Sequence, residues 1–442
     1  MNSLLNFLFF ASNGKVLIAL ITFIVSLVLT LWLGKKYHLN KLQMMMFVLL
    51  VLFWASINII RSYRRVYAIS DVDVGGLGLD GLVTASIVSA YGLISIFARL
   101  PIFILSDWFQ SRKWFIGIAL WAIMLTSIYV VVQPDATSLY LSSLALGLGA
   151  SMLALFNVMF SETFDPKEAL VSVSILSIAP LMAEFLVAPL QTYATQEAVK
   201  NYTLLWSLSA GLALIAFVLL LGLKDNKTKV TNFKLSTFFR ILLTPRFLFI
   251  ALFGVLVSFV RFSTSSANMV AYARTDVVNM SALLVAYLDV VFTLFQLGAG
   301  VMVGIYLKQK LGVKWTLVLG LALSGAFALI GALSTHDLTL FFAYGLNGFG
   351  YGITYNLLLG LALSSFIKEE REMSMGIYQT FFAVGIYYGD QIYGLVMQWV
   401  KGLVEGAALY QTVFLGTAGL VTFLIILVLI IVNGKIKQGL EA

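Results

Sequence analysis

Long apolar runs of about 17 to 25 residues fill most of the chain, and charged or turn residues separate them. A helical run of this length spans the hydrocarbon core of a bilayer, about 30 Å thick. The pattern predicts thirteen transmembrane helices, at 16–33, 43–67, 82–106, 114–132, 139–160, 171–193, 202–223, 247–272, 283–307, 315–334, 338–366, 374–399 and 410–432.

The first of these runs has the position of a secretory signal. It is longer than the apolar part of a signal peptide, and no small-residue cleavage site follows before the Gly34-Lys35-Lys36 stretch. We therefore predict an uncleaved helix. The odd total is best interpreted as twelve core helices preceded by one additional N-terminal transmembrane helix, within residues 1–38.

Composition supports an all-α polytopic membrane protein and excludes soluble classes. Hydrophobic residues make up 61% of the 442 and charged residues only 11%, and the mean hydropathy is +0.98. The chain has no cysteine and only two histidines, His38 and His336, both in predicted loops. No nucleophile with a base and no metal cluster is evident, so we expect neither an enzyme nor a cofactor.

The net charge of +8 is explained by topology. Cytoplasmic loops of membrane proteins are rich in lysine and arginine. One side collects Lys35, Lys36, Lys41, Arg112, Lys113, Lys167, the basic residues of 224–246, Lys308, Lys310, Lys314, Lys368, Arg371, Lys435 and Lys437, and the other keeps Lys15, Lys200, Arg274 and Lys401. We predict a plasma (inner) membrane protein with its N-terminus outside and its C-terminus cytoplasmic. A monomer that binds membrane lipids and no nucleic acid is expected.

An internal repeat divides the twelve core helices into two halves. Ile59-Ile60-Arg61 is echoed by Phe259-Val260-Arg261, and Arg112-Lys113-Trp114 by Val313-Lys314-Trp315. We predict a first six-helix half at 39–223, a cytoplasmic linker at 224–246, a second half at 247–434 and a tail at 435–442. Two similar halves are typical of alternating-access transporters, which bind substrate between the halves near the middle of the bilayer.

Five arginines fall inside or at the ends of apolar runs: Arg61, Arg64, Arg65, Arg99 and Arg261. A charge in the bilayer costs about 3 kcal/mol on insertion scales, and it normally marks a cavity or a substrate path. Guanidinium groups remain charged and match the oxygens of phosphate and carboxylate, so we predict an anion site. The first three could alternatively reach the outer interface, and either Arg61 or Arg64 could be the first-half ligand.

Three acids also lie within predicted spans, namely Glu184, Asp289 and Asp390. Each could carry a coupled proton, or each could be the counter-ion of an arginine when the site is empty. Both interpretations remain open on the sequence. Tyrosines on predicted helices could line a polar cavity or simply pack, and these are Tyr287, Tyr351, Tyr355, Tyr387, Tyr388 and Tyr393.

The turn after the second core helix resembles the commonest motif of the major facilitator superfamily, and the resemblance covers roughly residues 43–434. Asp107, Arg112 and Lys113 match the acid and the two basic positions, while Phe103 and Gln110 replace the glycines. The resemblance implies a gating latch formed by Asp107, Arg112 and Lys113. The alternative is a solvated loop that fixes topology by its charge.

Within that superfamily the chain most resembles the organophosphate:phosphate antiporters. That branch has arginines at the places of Arg64 and Arg261 and a basic residue at that of Arg99, eight positions before the motif acid. Its fifth-helix histidine is replaced by Ile178, and the additional first helix is a further departure. The resemblance implies secondary transport of a small organic anion, with inorganic phosphate or protons as coupled species.

Other functions fit the same fold. A cationic-drug pocket of a multidrug exporter would not be expected to hold several arginines. A lipid-linked anion is an alternative substrate, with the first helix helping to shape a side entrance. A transporter-like sensor is also possible, with the first helix as the docking element for a partner.

Overall fold

The protein is an all-α polytopic membrane protein. The computed structural model describes residues 12–164, 169–196, 201–223 and 235–431. The helices are α1 Ser12–Lys36, α2 Lys41–Arg61, α3 Arg64–Ile69, α4 Gly81–Trp108, α5 Lys113–Val132, α6 Ala136–Ser151, α7 Leu153–Ser161, α8 Ala169–Thr195, α9 Tyr202–Leu221, α10 Leu235–Leu242, α11 Pro245–Thr264, α12 Ala267–Ala273, α13 Ala282–Met302, α14 Lys308–Leu333, α15 Asp337–Ser364, α16 Lys368–Val400 and α17 Ala407–Ile431.

Every predicted span overlaps at least one of these helices. Within the described residues, ten helical stretches are long and apolar enough to cross a membrane. One of them, Ala282–Leu333, has 52 residues and is long enough to cross twice at about 1.5 Å per residue. α15 and α16 are also long, with 28 and 33 residues, but glycine, tyrosine and polar side chains make them less apolar.

Three predicted spans are broken rather than continuous. The breaks fall at Ser62–Tyr63 between α2 and α3, at Met152 between α6 and α7, and at Ser265–Ser266 between α11 and α12. Ser266 adopts a left-handed backbone with φ 52°. Hydroxyl groups just before it bond back to helix carbonyls, as in the Thr264 Oγ1 to Val260 O bond of 3.0 Å, and such bonds weaken a helix. Arg61 and Arg261 consequently lie next to unwound backbone.

Two breaks between predicted spans fall at a residue with positive φ. Between the predicted spans 283–307 and 315–334, a π-helical turn at Val303–Leu307 leads into α14, and the chain is kinked between two helical stretches at Gly312, where φ is 71° and ψ is 172°. In the first half, α4 continues through Asp107 to Trp108. The reversal follows at Gln110, where φ is 51°, and this left-handed conformation favours the glycine found there in the superfamily motif.

The chain forms two compact units. Unit 1 comprises Met1–Asp80, Leu105–Val230 and Met280–Val290, and unit 2 comprises Gly81–Ile104, Thr231–Asn279 and Val291–Ala442. Within unit 2, α4 packs closely on α16, since a Cβ on Gly92 would lie 2.5 Å from the Tyr387 nitrogen. The predicted halves remain a prediction. Residues 224–234 of the linker and the tail 435–442 lie outside the described residues.

The repeat detected in the sequence has a counterpart in a lysine contact that each unit makes. In unit 1, Lys113 Nζ donates to Leu221 O at 2.9 Å and to Leu223 O at 2.6 Å, at the end of α9. In unit 2, Lys314 Nζ donates to Leu429 O at 3.1 Å, in the last turn of α17. A cation at a helix C-terminus satisfies carbonyls that lack partners and opposes the helix dipole.

Candidate functional site

In unit 1, Arg61 lies between two buried carboxylates. Its Nη2 atom is 3.5 Å from Glu184 Oε1 and 3.8 Å from Asp289 Oδ2. The Ser62 hydroxyl donates to the same Asp289 oxygen. Glu184 is 1% exposed and Asp289 is 7% exposed. We call Arg61, Ser62, Glu184 and Asp289 the Arg61 cluster. Its arginine already has counter-ions without any ligand.

The break after α2 is stabilised by polar groups that take up its terminal carbonyls. Gln191 Nε2 donates to Asn58 O and Ile59 O, both at 3.1 Å. The Ile60 carbonyl accepts from the Tyr63 nitrogen at 3.1 Å. The Arg61 carbonyl accepts from Arg64 Nε at 2.9 Å. Each carbonyl left without a helical partner is thus bonded, which allows the helix to end inside an apolar span.

The neighbouring arginines Arg64 and Arg65 are both buried, with 3% exposure. Arg64 Nη1 donates to Ser143 Oγ at 3.1 Å, while its Nε bonds the Arg61 carbonyl. Neither side chain extends to an exposed interface, so the alternative in which they reach the outer surface is wrong for these two residues. Whether Arg64 contacts substrate remains a prediction.

In unit 2, Arg261 is held by aromatic rings instead of acids. It is 7% exposed, and its Cζ atom lies 4.0 Å from the ring centre of Phe292 and 4.9 Å from those of Tyr351 and Phe262. Its Nη1 donates to the Ser265 hydroxyl at the helix break. Ring faces attract a cation, but they do not neutralise it.

Arg99 is connected to Arg261 through a series of contacts. Arg99 Nη1 donates to Gln379 Oε1 at 2.5 Å, and Gln379 Nε2 donates to Tyr355 OH at 2.6 Å. Tyr355 stacks on Tyr351 with 5.5 Å between ring centres, and Tyr351 contacts Arg261. We call these five residues the arginine–tyrosine track. The five residues come from α4, α11, α15 and α16, and all five lie within unit 2.

The track is rich in donors and positive in charge. Among the side chains that the structure describes, no carboxylate lies within ion-pairing distance of Arg99 or Arg261. Arginine can only donate, so the Gln379 oxygen must face Arg99 and its amide must face Tyr355. The Tyr355 oxygen then accepts, and its hydrogen is available to another acceptor. The arrangement is complementary to a group that carries several acceptor oxygens and negative charge.

Asp390 has different surroundings from Glu184. It accepts from Asn268 Nδ2 at 3.3 Å, and the same nitrogen donates to Phe262 O at 2.7 Å. These bonds connect α16 to the break between α11 and α12. The proposed coupling or counter-ion roles of Glu184, Asp289 and Asp390 remain predictions.

The predicted latch residues make contacts within unit 1. Arg112 Nη1 lies 2.7 Å from Glu162 Oε1, and Lys113 bonds the end of α9. The side chain of Asp107 lies outside the described residues. The gating function of Asp107, Arg112 and Lys113 remains a prediction.

Four uncharged polar residues of the two sites were not predicted from the sequence. Gln379, Ser62, Ser143 and Gln191 are polar residues inside apolar runs, and that signal would have found them. For the described part of the chain, no group of three or more His, Cys, Asp or Glu residues is placed to hold a metal ion.

The helices define a polytopic membrane protein with the major facilitator fold. The sequence model of the Major Facilitator Superfamily matches residues 254–439. The structure of a peptide transporter POT in complex with sulfate superposes with TM-score 0.73 at 16% identity, covering 91% of this chain and 95% of that one. The nucleoside transporter NupG gives TM-score 0.67 at 16% identity, with 90% and 100% covered. No curated protein sequence matched the chain.

Proposed function

We propose that the protein is a secondary active transporter of a small organic anion, with phosphorylated compounds as the foremost candidates. The observation that carries this proposal is the arginine–tyrosine track. It holds two arginines, Arg99 and Arg261, without a carboxylate partner among the described side chains. A ligand with anionic oxygens would supply the missing acceptors and charge.

Ring contacts contribute up to about 2 kcal/mol each to a desolvated cation, whereas a buried charge costs several kcal/mol. Arg261 therefore gains more from an anion than an arginine that is already paired. Arg99 and Arg261 are therefore the primary candidates for anion binding, and Arg61 and Arg64 are secondary candidates.

The fold supports transport but does not select the substrate. The solved neighbours include a nucleoside transporter and a peptide transporter. Each is at most 16% identical to this chain. The charge and the donor groups of the residues in this chain are what indicate an anionic substrate.

The Arg61 cluster is the candidate for coupling. In an exchanger, Glu184 and Asp289 would serve only as counter-ions that keep Arg61 neutralised. In a proton-coupled transporter, one of the two carboxylates would bind and release a proton during the cycle. Both modes are compatible with the proposed substrate. Counterflow with and without a pH gradient distinguishes them.

The first experiment measures the thermal stability of the purified protein against a panel of compounds. The panel contains inorganic phosphate, sugar phosphates, glycerol phosphate, di- and tricarboxylates, and cationic drugs. A ligand that binds only the folded state raises its stability by mass action, by about 2.7 kcal/mol at a hundred times its Kd. We expect stabilisation by phosphorylated compounds, followed by counterflow of the same compounds in proteoliposomes.

Other outcomes point to the alternatives. Stabilisation by cationic drugs alone would contradict the anion site and favour a multidrug exporter. Binding of an anion without counterflow would favour a sensor. A requirement for an acyl chain on the phosphate compound would indicate a lipid-linked substrate.

A further inference from the structure

The additional N-terminal helix α1 carries a row of hydroxyl groups in an otherwise apolar sequence. Thr22, Ser26 and Thr30 are four residues apart and therefore lie on one face. Each hydroxyl donates to the carbonyl four residues before it, at 3.0, 3.0 and 2.8 Å. α1 packs against α8 in unit 1.

Only Thr22 of this row has a side-chain bond outside α1 in the described structure. Its Oγ1 lies 2.8 Å from Tyr287 OH, in the first turns of α13. Either hydroxyl can be the donor of this bond; when the Thr22 hydrogen is directed to the carbonyl of Ile18 or Ala19, both at 3.0 Å, the Tyr287 hydroxyl donates. Tyr287 is 7% exposed, so loss of this partner would leave a buried hydroxyl poorly satisfied.

Tyr287 and Asp289 are held from different sides of the same helix. Residues two apart in an α-helix do not face the same way, so one side of α13 is bonded to α1 and another to the Arg61 cluster. Asp289 Oδ2 accepts a hydrogen bond from the Ser62 hydroxyl and lies 3.8 Å from Arg61 Nη2. Two bonds on different faces fix the rotation of this part of α13 about its own axis.

We infer that Thr22 is a positioning residue for the Arg61 cluster, and that it acts through Tyr287 on the carboxylate of Asp289. The additional helix is therefore part of the transport machinery and not only a membrane anchor. The consequence for transport rests on the proposed function. The coupling between Thr22 and Asp289 does not, because it can be measured in the folded protein alone.

The test uses the full chain with Thr22→Val, which keeps the shape of the side chain and removes the hydroxyl. Thr22→Ser restores the hydroxyl, and Tyr287→Phe removes the other partner of the same bond. Thr30→Val is the matched control, since the Thr30 hydroxyl bonds within α1. Each variant is combined with Asp289→Asn, and thermal unfolding is measured for singles and doubles.

We expect Thr22→Val and Tyr287→Phe to lower the unfolding midpoint by similar amounts and not to add, because both remove one bond. Thr22→Val and Asp289→Asn should also be non-additive, whereas Thr30→Val and Asp289→Asn should add. In transport, Thr22→Val should lower turnover about threefold or more with an unchanged KM for the anion. That factor corresponds to roughly the loss of one neutral hydrogen bond. Thr22→Ser should restore turnover.

Additive effects of Thr22→Val with Tyr287→Phe and with Asp289→Asn would overturn the inference, as would a Thr22→Val protein that behaves like Thr30→Val. If no organic anion is transported but the unfolding cycles remain non-additive, the positioning role stands and the proposed function falls.

Discussion

Arg61 and Arg261 lie at the same kind of place in the two compact units, beside a break in a long helix, yet their charges are handled differently. Arg61 lies between Glu184 and Asp289. Arg261 lies among the rings of Phe292, Tyr351 and Phe262. The sequence repeat therefore places an arginine beside a helix break in each unit, but it does not place a carboxylate beside both arginines. The difference separates an arginine that is balanced without ligand from one that is not.

This contrast gives each arginine a distinct expected phenotype. A charge that is already paired contributes chiefly to the stability of the fold, because its removal leaves the partner charges exposed to an apolar interior. An arginine without a carboxylate partner contributes chiefly to the binding of the anion that neutralises it.

Arg61→Ala should destabilise the protein strongly, since it leaves the buried carboxylates of Glu184 and Asp289 without their cation. Breaking a buried ion pair from one side typically costs about 3 to 5 kcal/mol. The measurement is the change in unfolding midpoint of the purified protein. The control is Arg61→Ala combined with Glu184→Gln and Asp289→Asn, which removes all three charges and should recover most of the loss. A single variant as stable as the parent would contradict the pairing.

Arg261→Ala should have the opposite pattern. Anion affinity should fall by about a hundredfold or more, as expected for losing a charge-assisted contact worth roughly 3 kcal/mol, while the protein remains folded. Ligand-dependent thermal shifts provide the measurement. Arg240→Ala is the matched control, because Arg240 belongs to the same unit and pairs with Glu370 at an exposed position. Near-normal affinity in the Arg261 variant would sink the anion site.

Gln379→Glu should give Arg99 in unit 2 a carboxylate partner, as Arg61 has in unit 1. The new carboxylate would lie beside Arg99, where Gln379 Oε1 now accepts at 2.5 Å. It would compete with the substrate for the same cation. We expect anion affinity to fall about tenfold further than in Gln379→Ala, which removes the amide without adding charge. Equal affinities for the two variants would show that Arg99 does not contribute its charge to binding.

The sequence was sufficient for the helices and insufficient for the pairings, for physical reasons. The length of an apolar run is enough to predict a span, and each of the thirteen runs overlaps a helix in the structure. The break after Arg261 depends on local hydroxyl bonds and on the left-handed backbone of Ser266. Neither feature can be predicted from the hydropathy of the sequence. Glu184, one of the two acids beside Arg61, lies 123 residues further along the chain.

The candidate site shows the same limit. Arg99 and Arg261 were found because a charge in an apolar run is conspicuous. Gln379, which connects Arg99 to Tyr355, was missed because a single amide changes the hydropathy of α16 only slightly. Its position becomes informative only once both of its bonding partners are known. Polar residues in spans identify candidates, but the fold decides which of them meet.

The smallest expected effect concerns the lysine contact that both units share. Lys113 and Lys314, predicted as equivalents from the repeat, each bond carbonyls at a helix end. Lys113→Ala and Lys314→Ala should each lower stability by about 0.3 to 1 kcal/mol, the usual range for a cation at a helix C-terminus. Anion affinity should be unchanged in both variants. Unfolding midpoints and ligand-dependent shifts, measured together, check the pair. A large loss of affinity from only one lysine would mean that the units differ in their framework as well as in their arginine sites, and the contrast between Arg61 and Arg261 would then need a wider structural cause.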